Sequence, residues 1–254
     1  MCFNAQLTLA FTLLSVGVGL YIIFSKKGAW ATMEPWRRHR VAWCFFFFAF
    51  MEGLQFVQYL VIDQCEGIVN IIMTQLGWYH ICFQPLFSNF AFSALDPKNL
   101  KGEREFTWKL IFWLCTISGI LMATRMIIPT LTDARNQFMT LCTEKMEGVC
   151  GPKTCSMTGD FHIRWTFKML KPTYIFPGLS AHFMNMFVTP ALMGNLLGAI
   201  ALFVTGPLIA VFFDVSDGEQ ASIWCFFSIM ETIVTAATQY YIVYRQSKKQ
   251  TKRN

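Results

Sequence analysis

FMEGLQFVQYLV, Phe50 to Val61, lies within a run of aromatic and aliphatic residues long enough to cross a bilayer, yet it carries a glutamate and two glutamines. Glu52, Gln55 and Tyr59 follow i, i+3, i+7 spacing with Gln58 beside them. A helix through the stretch therefore has one polar stripe, leaving Phe45 to Phe48 to meet lipid or packing partners. Such a stripe in an apolar helix faces protein. The expectation is a bundle of membrane-spanning helices, some of which turn polar groups inward.

Composition supports that expectation. Of 254 residues, 54% are hydrophobic, 16% aromatic and only 14% charged, too apolar for an ordinary soluble domain. The net charge of +6 comes from Lys and Arg at the ends of apolar runs and forms no recognition patch, so the expected partner is the lipid bilayer and no nucleic acid. There is no fixed-period repeat or low-complexity tract, so residues 1–254 read as one polytopic domain. The first apolar run begins almost at Met1, lacks a basic n-region and precedes Lys26 and Lys27. It is expected to remain as a helix.

Working outward, seven stretches meet or approach the roughly 20 apolar residues that a span requires. They lie near 5–25, 41–63, 68–95, 107–129, 174–192, 195–213 and 221–244. Pro190, Gly194 and Asn195 leave only a tight turn between the fifth and sixth. The expected fold is an all-α membrane protein of seven transmembrane helices. Basic residues crowd the first link (Lys26, Lys27, Arg37, Arg38, Arg40), the third link (Lys98, Lys101, Arg104) and the tail at 245–254. By the positive-inside rule this places the N-terminus outside and the C-terminus in the cytosol.

The long link at about 131–173 is then external and holds Cys142, Cys150 and Cys155, with Cys65 in the other external link and Cys2 at the outer N-terminus. Cysteines gathered on that face predict disulfides whose pairing the sequence does not give. A zinc site from the three loop cysteines and His162 is the alternative, although no C-x-x-C knuckle is present.

Other spans interrupt their apolar runs too: His80 and Gln84 in the third, His182 and Asn185 in the fifth, Glu231 in the seventh. At about 1.5 Å per residue, Glu52, His80, His182 and Glu231 share a depth roughly 12 to 15 Å from the outer edge of the hydrocarbon. Four ionisable groups in one layer predict a joint site. Two imidazoles and two carboxylates suit a divalent metal, zinc or iron; without metal they suit proton exchange or a polar ligand pocket. Gln55, Gln58, Asn185 and Gln239 are equally suited to interhelical hydrogen bonding. Pro85 is expected to kink the third helix near this layer, Met184 and Met186 to pack rather than bind copper, and Arg125 to snorkel from the fourth helix.

The seventh span contains no Lys, so no retinal Schiff base is expected, and neither D-R-Y nor N-P-x-x-Y, the marks of G-protein-coupled receptors, occurs. The late helices offer only His182, so likeness to seven-helix zinc hydrolases of the ceramidase and adiponectin-receptor type is architectural.

Three stretches, MCFNA at the start, FMEGLQ in the second helix and ASIWCFF opening the seventh, resemble an uncharacterised seven-helix membrane family. Its members begin Met-Cys-Phe-Ser-Ala or Met-Cys-Trp-Asn and carry Ser-x-Trp-Cys-Phe-Phe near the end. This chain differs in pairing Asn4 with Phe3, and the resemblance implies no known activity. It directs attention to Cys2 and Cys225 as a disulfide clamp over the outer mouth, with two unpaired buried thiols as the alternative. The functional expectation is transport or sensing of a small ligand or proton through Glu52, Gln55, His80, Gln84, His182 and Glu231. The alternatives are a membrane-embedded metal-dependent enzyme and a structural subunit without a pocket.

Overall fold

A computed structural model of the chain describes residues 4–26, 28–96, 98–99, 102–131, 140–213, 215–227, 233 and 237. Helix α1 (Ala5–Phe24) is capped by the Asn4 side chain, which accepts from the Leu7 amide at 3.0 Å. A short α2 (Gly28–Thr32) leads to α3 (Pro35–Leu60), which starts on proline, a residue whose missing N–H costs nothing in a first turn. Then come α4 (Ile68–Leu95) and α5 (Glu105–Leu131). The link that follows carries a hairpin, β1 (Cys155–Thr158) against β2 (Ile163–Thr166), antiparallel with Cys155 opposite Thr166 and Thr158 opposite Ile163.

Beyond the hairpin the helices carry π-turns. Short α6 (Leu179–Phe183) passes through a π-turn at Met184–Val188 into α7 (Thr189–Leu192). After a turn in which Gly194 adopts φ +86°, α8 (Leu196–Phe203) passes through a second π-turn at Val204–Leu208 into α9 (Ile209–Val211). Pro190 just after the first π-turn and Pro207 inside the second explain both, since each removes a backbone donor and crowds the preceding turn. Residues 217–227 are helical again.

Two ends organise these elements. At one, the Asp63 amide after α3 donates to Ser156 O in the hairpin at 3.1 Å, Asn70 at the start of α4 donates to the same carbonyl at 2.9 Å, and the Leu170 amide donates to Arg125 O on α5 at 2.8 Å. At the opposite end, Arg38 of α3 donates to Ile23 O of α1 at 3.2 Å, Arg37 to Ala94 O of α4 at 2.5 Å, and Arg104 before α5 pairs with Asp96 after α4 at 3.4 Å. The long helices thus alternate in direction. Close approach requires small residues: a Cβ on Gly119 of α5 would sit 2.8 Å from Cys82 O of α4, and one on Gly218 would sit 2.2 Å from Trp165 O.

Three helical segments, Ala5–Phe24, Pro35–Leu60 and Glu105–Thr130, are long and apolar enough to cross a membrane. Their outward faces match: Leu13, Tyr21 and Phe24 on α1 and Leu110, Trp113, Leu114 and Ile117 on α5 are exposed. Of the seven expected spans, three meet this criterion among the described residues, and most of the seventh, 221–244, lies outside them. Helix α4 is 28 residues long, but Asn70, Thr74, His80, Gln84, Ser88 and Asn89 dilute its apolarity, and the helical stretches 179–192 and 196–211 are too short. The chain is mostly helical, as expected, with one small addition. The 131–173 link, read as a loop, contains the β-hairpin and buries Ile163, Trp165 and Phe167 completely. These join Met51, Trp78 and Met122 in a single core, so the hairpin plugs the end of the helices.

Candidate functional site

The stripe of Gln55, Gln58 and Tyr59 on α3 is largely a socket for this plug. Gln58 Oε1 accepts from the Trp165 indole at 3.0 Å while its Nε2 donates to Met73 O at 2.8 Å. Gln55 Nε2 donates to Ser222 O at 3.3 Å, which fixes Oε1 as the acceptor of the His162 Nε2 proton at 3.0 Å. His162 Nδ1 is then the ring's acceptor, and Tyr59 donates to it. Burial holds the His162 pKa down to about 3, so the ring is neutral. Asn70 and Thr74 of α4 bond Ser156, and Asp63 accepts from the Thr158 amide at 2.8 Å.

From the last helix, Glu219 accepts three consecutive hairpin-turn amides, those of Asp160, Phe161 and His162, at 3.0, 2.6 and 2.8 Å. Sequence reasoning passed over Glu219, Ser222, Asn70 and Trp165. One signal was available: Ile163, Trp165 and Phe167 alternate with Arg164, Thr166 and Lys168 after a Gly159-Asp160 turn pair, a two-residue period.

Two disulfides fasten the plug: Cys65 to Cys155, and Cys142 to Cys150. The zinc alternative is thereby corrected, because those sulfurs are bonded to each other and His162 is committed to Gln55 and Tyr59. Among the described residues the one cluster of three ligand-type groups is Cys142, Glu147 and Cys150, whose two sulfurs form a disulfide. Arg125 does not snorkel. It is fully buried, donates to Leu170 O at 3.0 Å and meets Glu147 at 2.6 Å, while Glu147 also accepts the Leu179 amide at 2.9 Å. Cys2, the expected partner of Cys225, lies outside the described residues, as do Glu231 and Gln239.

Deeper in the helices lie groups that the hairpin does not reach. Glu52 is completely buried and neither carboxylate oxygen has a hydrogen-bond partner among the described residues. His80 stacks on Phe47 with ring centroids 3.9 Å apart and donates from Nε2 to Phe47 O at 2.8 Å, leaving Nδ1 unpartnered. His182 is 1% exposed, and among the described residues neither ring nitrogen has a partner at full hydrogen-bond geometry. The Ile81 carbonyl, which Pro85 deprives of its helical donor, takes a loose hydrogen bond from the His182 ring.

His182 lines a crevice of about 230 Å³ between α4, α6, α9 and the last helix, walled by Trp78, Ile81, Gln84, Leu179, Trp224 and Cys225. The Trp224 indole meets His182 edge-on at 5.3 Å, and its Nε1 donor has no partner among the described residues. Gln84 Nε2 points to Cys225 Sγ at 3.5 Å. Of the predicted site residues, Gln84 and His182 share this crevice, His80 stands within electrostatic range of His182, and Gln55 is turned to the hairpin. Glu52, His80 and His182 do not form a cluster of converging ligand atoms.

A family model described as a family of unknown function (DUF5765) matches residues 13–247. No curated protein matches the chain. No solved structure matches it either.

Proposed function

The chain belongs to that family of unknown function, and from its own geometry we propose a multi-pass membrane protein that binds a small, largely apolar molecule bearing one hydrogen-bonding group, to sense it or carry it. The single observation behind this reading is His182. A buried imidazole whose one polar contact among the described residues is a loose bond to the Ile81 carbonyl is costly in an apolar wall, and a ligand that supplies a hydroxyl or carbonyl beside the Trp224 donor offsets the cost. The membrane setting rests on the three apolar helices, with the more polar and the π-turned helices completing seven passes. Disulfides at the plugged end and basic residues at the opposite end favour an external hairpin and a cytosolic tail. Glu52, with no partner of its own, is the group suited to accept a proton if carriage is proton-coupled.

The test is a titration of the protein in nanodiscs with octanol, octanone and octane, followed by tryptophan fluorescence, since Trp78 and Trp224 line the crevice. Saturable responses to the alcohol or ketone but not the alkane are expected, and His182→Phe should abolish them. That variant should unfold no earlier than the parent, because it removes a loosely paired polar group. Equal responses in parent and variant would sink the reading. A metal-dependent enzyme is the less favoured reading, because Glu52, His80 and His182 do not bring their ligand atoms together. One equivalent of zinc or iron per chain, lost when His80 and His182 are both changed to Ala, would put it first.

A further inference from the structure

At the end opposite the hairpin, α3 and α5 begin side by side and enclose a recess of about 310 Å³ lined by Trp36, Arg40, Asn99, Glu105, Trp108 and Lys109. The geometry points to a binding site for the headgroup of an anionic phospholipid, its phosphodiester received by Arg40 and Lys109. This assignment rests on the membrane setting proposed above but is independent of the crevice.

The guanidinium of Arg40 is pre-positioned. It lies 4.8 Å over the Trp36 ring and 5.2 Å over the Phe112 ring, and Nη1 donates to Ser93 Oγ at 3.0 Å. Glu105 acts on it electrostatically but forms no ion pair with it, so the rest of its donor fork is left for an anion. Lys109 at the rim pairs with Glu105 at 2.7 Å, both well exposed. The lining therefore carries one net positive charge, matching one phosphodiester. The Trp108 wall is fixed by its indole donating to Asp96 at 2.9 Å, and Asn99 is held by Ser93 O at 2.9 Å.

Depth and continuity select a lipid over a free phosphate. The 26 residues of α3 extend about 39 Å against a hydrocarbon core of about 30 Å, so its first turns reach headgroup level. Tryptophans at that level are the usual interfacial anchors. From the recess, the exposed stripe of Leu110, Trp113, Leu114 and Ile117 runs down α5, an apolar track on which acyl chains can lie while the headgroup is held.

The test is competition between phosphatidylglycerol and phosphatidylcholine of equal chain length, read by native mass spectrometry of the full chain released from nanodiscs. One phosphatidylglycerol per chain should be retained in preference to phosphatidylcholine. Lys109→Gln, an exposed change that leaves the packing intact, should lower that preference roughly fivefold. Adding Arg40→Gln should remove it, and Arg40→Lys should keep it. Retention of both lipids alike, or an unchanged preference in the double variant, would overturn the site. So would sn-glycerol 3-phosphate displacing the lipid at equal concentration, which would mark a site for soluble phosphate. Vesicle co-flotation reports the membrane setting separately, so its failure is distinguishable from failure of the site.

Discussion

Gln58 shows how a single amide can be misjudged between a ligand site and a structural bond. It bridges the Trp165 indole of the hairpin and a carbonyl of α4, all within a buried core. Gln58→Leu should cost about 1 to 3 kcal/mol, because the Trp165 donor then stays buried without an acceptor, as chemical unfolding in detergent would show. His162 makes the socket sensitive to pH. Its folded pKa near 3 lies below the ordinary histidine value of about 6.5, so between these limits the unfolded chain takes up a proton that the folded chain refuses. Stability should be full above about pH 6.5 and fall with pH toward 3, by up to about 1.4 kcal/mol per unit. Melting temperature against pH for the parent and His162→Gln should diverge in that window; parallel curves would remove His162 from the account.

At the scale of elements, the hairpin depends on covalent and ionic ties of different reach. Cys65–Cys155 closes a separation of 90 residues and Cys142–Cys150 one of 8. Loop entropy alone assigns the longer tie about 4 to 5 kcal/mol and the shorter about 2 to 3. Paired Cys→Ser variants should rank in that order by unfolding midpoint. Arg125 and Glu147 join the end of α5 to the link and the start of α6. Glu147→Ala should cost about 3 to 5 kcal/mol, since it strands a fully buried guanidinium, whereas Arg125→Met combined with Glu147→Leu should recover most of that loss. A double variant no better than the single one would show that the Leu179 amide, not the ion pair, is the important client of Glu147.

Across the whole molecule, the apolar runs near 5–25, 68–95 and 107–129 correspond closely to α1, α4 and α5, because a helix long enough for a bilayer writes its length directly into the sequence. Polar spacing likewise showed that Gln55, Gln58 and Tyr59 share a face turned to protein. The partner on that face was not legible: the hairpin lies about 100 residues away, and its four-residue strands give a short signal beside twenty-residue helices. The sequence by itself therefore determined helical content, the inward-facing stripe and a set of cysteines fit for disulfides. Only the tertiary structure decided the disulfide pairing, the commitment of the glutamines to the plug, and the exposure of His182 to an open crevice. Those outcomes depend on which distant side chains meet, and hydrogen-bond satisfaction in a buried layer is settled by that meeting.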